Sequence, residues 1–230
     1  MNRRFALFAI PLLFALTAAS PAPRKKSPPR PPAPIPLADT VRVALKTELG
    51  TIEIELDGKH APISSANFLA YVDQRRLDGI TFYRVMRLPW GTPPNGLIQA
   101  GAQGDPKRIL KPIAHEPTSA TGVLHKAGAI SMARYAPGTA TADFSILLSD
   151  LAGLDADPKS ADPALQAGYA AFGRVMAGMD VVRRIYDVPL SSTRGQGAMK
   201  GQMIEAPVKI LTVRRMPTPA PKTPAPPPPP

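Results

Sequence analysis

Two alternating stretches open the foldable part of the chain. Val41-Arg42-Val43-Ala44-Leu45-Lys46 and Thr51-Ile52-Glu53-Ile54-Glu55-Leu56 each place apolar side chains at every second position, and Glu48-Leu49-Gly50 lies between them. That pattern predicts a hairpin with one buried face. The period then changes. Pro62 suits a helix's first turn, Phe68, Leu69 and Val72 recur at helical spacing, and Asp78-Gly79 ends the element. Next come Thr81-Phe82-Tyr83-Arg84-Val85-Met86 and Leu97-Ile98-Gln99-Ala100-Gly101, separated by Pro89, Gly91, Pro93, Pro94, Asn95 and Gly96. These read as an antiparallel pair joined by a long loop. A side-chain period of two puts Phe82, Arg84 and Met86 on one face of the first strand, and Leu97, Gln99 and Gly101 on one face of the second. Further strands are predicted at Ala129–Ala133, Phe144–Leu148, Ala171–Val175 and Val208–Arg214. Met179–Tyr186 reads as a second helix, with Val181, Val182 and Ile185 as its apolar stripe. Many short strands and two helices predict a mainly β chain, closed into an antiparallel barrel so that no strand edge is left open.

Composition matters chiefly at the ends. Met1–Ser20 has Arg3 and Arg4 before an apolar run from Phe5 to Ala19, closing on small residues, and reads as a secretory signal peptide cleaved near Ala19 or Ser20. The run is shorter than the roughly 20 residues that span a bilayer, so no membrane span is expected after processing. Residues 21–38 form a Pro-rich, basic linker, 39–216 one domain, and 217–230 a second Pro-rich tail; both Pro-rich segments are expected to act as extended spacers. Such a chain is expected in the periplasm or otherwise exported, and as a monomer. With no cysteine anywhere, stability has to come from the core.

The net charge of +11 is a property of the ends too. Seven of the 28 basic residues and none of the 17 acidic ones fall outside 37–216, which leaves 21 against 17 and a net +4 inside. A nucleic-acid partner is not expected from that distribution. His60, His115 and His125 show no metal-binding spacing and read as solvated loop residues. Ser131 lacks the Gly-x-Ser-x-Gly elbow of a hydrolase nucleophile. The stretch Asp150–Gly168, despite Asp155, Asp157 and Asp162, has no calcium-ligand spacing and reads as a solvated loop.

Four ordered motifs carry a more specific signal: Phe82-Tyr83-Arg84-Val85-Met86, Leu97-Ile98-Gln99, Gly128-Ala129-Ile130-Ser131-Met132-Ala133 and Phe172-Gly173-Arg174-Val175. Together, from about Val41 to Met216, the chain resembles the cyclophilin family of peptidyl-prolyl isomerases. The resemblance implies an eight-stranded barrel with two covering helices. It also implies rotation about X-Pro bonds in Pro-containing polypeptides, with neither cofactor nor metal. Arg84 would be the catalytic residue, since a fixed guanidinium can hydrogen-bond the prolyl nitrogen when it loses amide conjugation, and Gln99 would hold Arg84 in place. The substrate groove would be lined by Phe82, Leu97, Gln99, Ala133, Arg134, Asp143, Ser145 and Tyr169.

The groove departs from the family's pattern at several positions. Arg134 stands where an asparagine is usual, Asp143-Phe144-Ser145 replaces Gln-Phe-Phe, Tyr169 takes the histidine position, and Gly96 and Leu97 take those of an aromatic residue and a Met. Ser145 thus removes the ring that floors the proline pocket. Arg134 and Asp143, opposite in charge, are expected to compensate each other. The two functional readings are an exported isomerase acting on envelope proteins as they fold, and a cyclophilin-like module that binds extended Pro-containing segments with little turnover.

Overall fold

Alternating burial runs through the strands and decides what faces inward. In β1 (Thr40–Thr47) and β2 (Gly50–Asp57), Val43, Leu45, Ile52, Ile54 and Leu56 are fully buried. The computed structural model describes residues 37–91 and 95–217, and the remaining strands are β3 (Thr81–Arg87), β4 (Gly96–Gly101), β5 (Ala129–Met132), β6 (Phe144–Leu147), β7 (Ala170–Ala177) and β8 (Met203–Arg215). They close into one antiparallel barrel in the order β1-β2-β7-β5-β6-β4-β3-β8. The predicted hairpin pairs Thr40 with Asp57 through Thr47 with Gly50. The segment read as signal peptide, and nearly all of the linker and of the tail, lie outside the described residues.

The barrel is filled by side chains. Phe144 meets Phe68 edge-on at 5.2 Å and Phe82 at 6.2 Å, while Phe68 also touches Phe172 at 5.6 Å. Each such ring contributes on the order of 2–3 kcal/mol by burial, so this cluster is a main source of cohesion in a chain without disulfides.

Four α-helices are present among the described residues: α1 (Pro62–Asp73), α2 (Thr118–Thr121), α3 (Pro163–Ala167) and α4 (Met179–Tyr186). Two are short and carry no sequence periodicity, so only α1 and α4 were legible. α1 begins at Pro62 but has no cap from its own flank, where Ala61 stands. Glu116 does that work from a distant loop, its two carboxylate oxygens accepting from the Ile63 and Ser64 N–H groups at 2.9 and 2.6 Å. A negative group there also opposes the helix's positive end. α4 has the predicted bounds and buries Val181, Val182 and Ile185.

Two of the expected elements differ in the fold. β8 starts at Met203, five residues before the predicted strand, and so runs alongside the middle of β3. Asp150–Gly168 is a structured wall, containing a 3₁₀ turn at Ala152–Leu154 as well as α3.

Candidate active site

The site takes shape from a misalignment in β3. Phe82 pairs with Ala100 and Arg84 with Gln99, so Tyr83 is an extra residue between them, a β-bulge. A bulge re-aims the side chains around it. Phe82 consequently points into the core and is fully buried, whereas Arg84 and Met86 face outward. This corrects the expectation that Phe82 shares a face with Arg84 and lines the groove. The strict period of two fails at the bulge.

Beyond β3 the alternation is regular. Ile98, Ala100, Ile130, Met132, Phe144 and Ile146 belong to the core, while Leu97, Gln99, Ser131 and Ser145 lie on the outer face. Register sets Ser145 beside both Gln99 and Ser131. Above them lies a groove of about 610 Å³. It brings together Arg84, Leu97, Gln99, Ala133, Arg134, Asp143, Ser145 and Tyr169, every predicted site residue except Phe82. Leu154, Met199 and Met203 add apolar walls that sequence reading missed.

Two amides hold Arg84. Its Nη1 donates to Gln99 Oε1 at 2.8 Å, the contact predicted from sequence, and its Nε donates to Gln202 Oε1 at 2.8 Å. Gln202 lies 118 residues away in the turn before β8, beyond the reach of any local pattern. Its own Nε2 donates to the Ala198 carbonyl at 2.8 Å. Burial lowers the Arg84 pKa from its ordinary value, yet an arginine has margin enough to stay cationic at neutral pH.

Gln99 leads to a further chain of contacts. Its Nε2 donates to the Tyr83 hydroxyl at 2.6 Å, and that hydroxyl donates to Asp143 Oδ2 at 2.8 Å. Asp143 Oδ1 accepts from the Gln103 N–H at 3.0 Å. Burial is the largest influence on both groups: it raises the Asp143 carboxyl, against the hydrogen bonds from Tyr83, Gln103 and Ala102, and it raises the Tyr83 hydroxyl, with the Asp143 charge adding to the rise.

Arg134 and Asp143 do not compensate each other. Arg134 Nη2 donates to the Gly168 carbonyl and Nη1 to that of Tyr135, and its guanidinium stacks on the Tyr169 ring at 4.7 Å. Asp143 is committed to Tyr83 and Gln103 as described.

His125 is the largest departure from the sequence reading. It is buried, with Nδ1 at 2.7 Å from Asp155 Oδ1 and Nε2 at 2.8 Å from Ser131 Oγ. Its backbone N–H donates to the same Asp155 oxygen at 3.0 Å. These contacts look like a hydrolase triad, but Ser131 sits inside a strand paired on both sides, unlike a nucleophile elbow. They tie the 150–168 wall to the groove floor. Tyr169 N–H in turn donates to the Leu154 carbonyl at 2.8 Å, which joins two groove residues across the wall.

Among the described residues, no cluster of three potential metal-ligating side chains is present, and no helix is long and apolar enough to cross a membrane. A second cleft, of about 520 Å³, lies between β2, β7 and the Val123–Ala129 segment and contains none of the predicted residues.

Residues 42–215 match the family model described as cyclophilin type peptidyl-prolyl cis-trans isomerase/CLD. Among similar proteins, a peptidyl-prolyl cis-trans isomerase of Acinetobacter baylyi is 39% identical over 182 residues, 77% of this chain and 86% of that protein. The peptidyl-prolyl cis-trans isomerase A of Dickeya dadantii is 32% identical over 192 residues, 82% of this chain and 86% of that protein. A crystal structure of a cyclophilin type isomerase from Cryptosporidium parvum, solved in the presence of the dipeptide Ala-Pro, matches with a TM-score of 0.58 at 19% identity, covering 77% of this chain and 99% of that one.

Proposed function

The chain belongs to the cyclophilin-type peptidyl-prolyl cis-trans isomerase family, and from that premise we propose that Arg84 is the catalytic donor of an exported isomerase acting on envelope proteins. Isomerisation about X-Pro bonds is the family's activity and this chain's. The observation that carries the assignment of Arg84 is its double anchorage: Gln99 and Gln202 hold Nη1 and Nε, and among the described residues no hydrogen bond engages Nη2, on a guanidinium that lines the groove.

The chemistry follows from the peptide bond. Conjugation gives a barrier of about 18–20 kcal/mol. Twisting removes that conjugation and returns a lone pair to the prolyl nitrogen. A donor fixed beforehand at that position stabilises the twisted state more than either planar one, and only such a difference accelerates the step. Leu97 and Leu154 supply apolar contact for the proline ring, while Ala133 and the Arg134–Tyr169 stack border the extended substrate. Ser145 leaves the floor open.

Export rests on Met1–Ser20, with its basic start, apolar run and small residues. Mature protein should begin near Ser20 or Pro21 and be recovered beyond the inner membrane. Intact Met1 on cytoplasmic protein would refute this.

The catalytic assignment is tested by Arg84→Ala on an Ala-Pro peptide, the dipeptide named for the Cryptosporidium parvum relative. Loss of kcat/KM of roughly 10²–10³, with folding intact, is expected for removal of one preorganised donor. Arg84→Lys should recover little, because the planar fork is lost. An unchanged rate in Arg84→Ala would overturn the assignment.

A further inference from the structure

We propose that Tyr83 and Asp143 are positioning residues, whose hydrogen-bond direction fixes which end of the Gln99 amide faces Arg84. This rests on Arg84 being the donor to the prolyl nitrogen.

The argument is one of donors and acceptors. A carboxylate only accepts. Tyr83 has a single hydroxyl proton, and at 2.8 Å it is given to Asp143 Oδ2. The Tyr83 oxygen is then left to accept, and the group opposite it, 2.6 Å away, is Gln99 Nε2. With its NH₂ end so committed, Gln99 presents Oε1 to Arg84 Nη1. Reversing the amide would set an NH₂ group against a guanidinium, donor to donor. The second arm has the same logic: the Ala198 carbonyl only accepts, so Gln202 gives it Nε2 and turns Oε1 to Arg84 Nε. Both arms therefore end in obligate acceptors, and between them they set the plane of the guanidinium.

Asp143 is built into this place. One oxygen is held by Tyr83 and the other by the Gln103 N–H. It also fills the space where Gly101 has no side chain, since a Cβ there would lie 2.0 Å from Oδ1. A neutral amide at 143 could donate as readily as accept. Tyr83 would then be free to turn its proton toward Gln99, and the order of the chain would be lost. The groove's departure from the family pattern at this position thus moves the residue from substrate contact, as first read from the sequence, to the support of Arg84.

The titratable and charged groups around Asp143 are Tyr83 and Arg84 on β3, Tyr71 on α1, and Arg134 and Tyr169 across the groove. Burial raises the Asp143 carboxyl above its ordinary range, so a titration from about pH 8 down to about 4.5 approaches its protonation from the charged side. Protonated Asp143 becomes able to donate, which undoes the direction it imposes.

The test is kcat and KM from NMR exchange spectroscopy on an Ala-Pro peptide across that pH range, for wild type, Asp143→Asn, Tyr83→Phe and Arg84→Ala. Near-UV circular dichroism checks folding. The expected result is an acid limb in wild-type kcat that is absent from Asp143→Asn. Both Asp143→Asn and Tyr83→Phe should lose roughly five- to tenfold in kcat, with KM within about twofold. The Arg84 Nε–H resonance should broaden or move in both. Tyr83→Phe acts at a separate link, so it decides the matter should Asp143→Asn fail to fold. Wild-type kcat and an unchanged acid limb in Asp143→Asn would overturn the proposal, as would a rise in KM alone, which would return Asp143 to substrate binding. Full activity in Arg84→Ala would overturn the assignment of Arg84 and this inference with it. Loss in Arg84→Ala with both other variants unaffected would overturn this inference alone.

Discussion

Acidification should weaken the fold through a single imidazole. His125 is 1% exposed, and burial depresses its pKa below the ordinary histidine value of 6.5 despite the opposing influence of Asp155. The folded chain therefore binds fewer protons here than the unfolded chain as pH falls through about 6.5. Stability is lost over that window, down to the depressed folded value. The slope for one such group is at most about 1.4 kcal/mol per pH unit. Against a total of about 5–15 kcal/mol for an ordinary domain, one unit is a visible fraction. Neutral His125 also fits its contacts: Nδ1–H donates to Asp155 at 2.7 Å and Nε2 accepts from the Ser131 hydroxyl at 2.8 Å, whereas a second ring proton would oblige that hydroxyl to turn its own proton elsewhere. The assay is urea unfolding between pH 7.5 and 5.5, for wild type and His125→Gln. The difference between the two isolates this residue from the carboxylates, including Asp143, whose raised pKa works in the opposite direction by favouring the fold at low pH. The wild-type advantage should shrink on acidification. An advantage that grows instead would show a protonated histidine paired with Asp155, and would refute the reasoning.

Other outcomes follow from single contacts. Glu116→Ala removes the cap on α1 and should cost about 1–3 kcal/mol in a urea melt, because two helix N–H groups lose a buried charged partner; an unchanged midpoint would mean that water replaces it at no cost. Gly178→Ala sets a Cβ 2.4 Å from the Thr51 carbonyl, at a φ of +89°, and should destabilise by about 1–3 kcal/mol, whereas an unaffected melting temperature would rule out the close approach. Ser145→Phe restores apolar area to the groove floor and should lower KM for Ala-Pro peptides several-fold, worth about 1 kcal/mol. Weaker binding by a folded variant would show that Leu154 and Leu97 already occupy that space.

Most of the barrel could be read in advance because a strand with one buried face writes its register into every second residue. β1 and β2 are of this kind, and α4 shows its buried face at helical spacing. The Arg84–Gln99 contact was implied by the cyclophilin resemblance, and the antiparallel pairing of β3 with β4 brings it about. Phe82 was misplaced because a bulge is one extra residue in the pairing and leaves no mark in the hydrophobic alternation. Gln202 was invisible for a different reason: it reaches Arg84 from a turn, where position is set by chain path and not by periodicity. His125 and Asp155 are 30 residues apart in segments without pattern. Their polarity argued for solvent, and only mutual satisfaction lets them be buried. Tyr83 had a visible hydroxyl, but its partner Asp143 is 60 residues away.

The barrel wall is one residue thick, and this affects how such a site can change. Ser145, whose side chain faces the groove, stands between Phe144 and Ile146, which face the core. Gln99 stands likewise between Ile98 and Ala100, and Ser131 between Ile130 and Met132. Neighbouring codons thus answer to different demands, one to a packed interior and the next to a passing polypeptide. A point mutation at an outward position retunes what the groove accepts and leaves its inward neighbours packed. A one-residue insertion in the same strand exchanges the two sets, turning oil outward and hydroxyls inward. Lineages carrying this fold are therefore free to diversify by substitution along the groove strands, and insertions should accumulate where the wall opens into loops, as in the long stretch between β6 and β7.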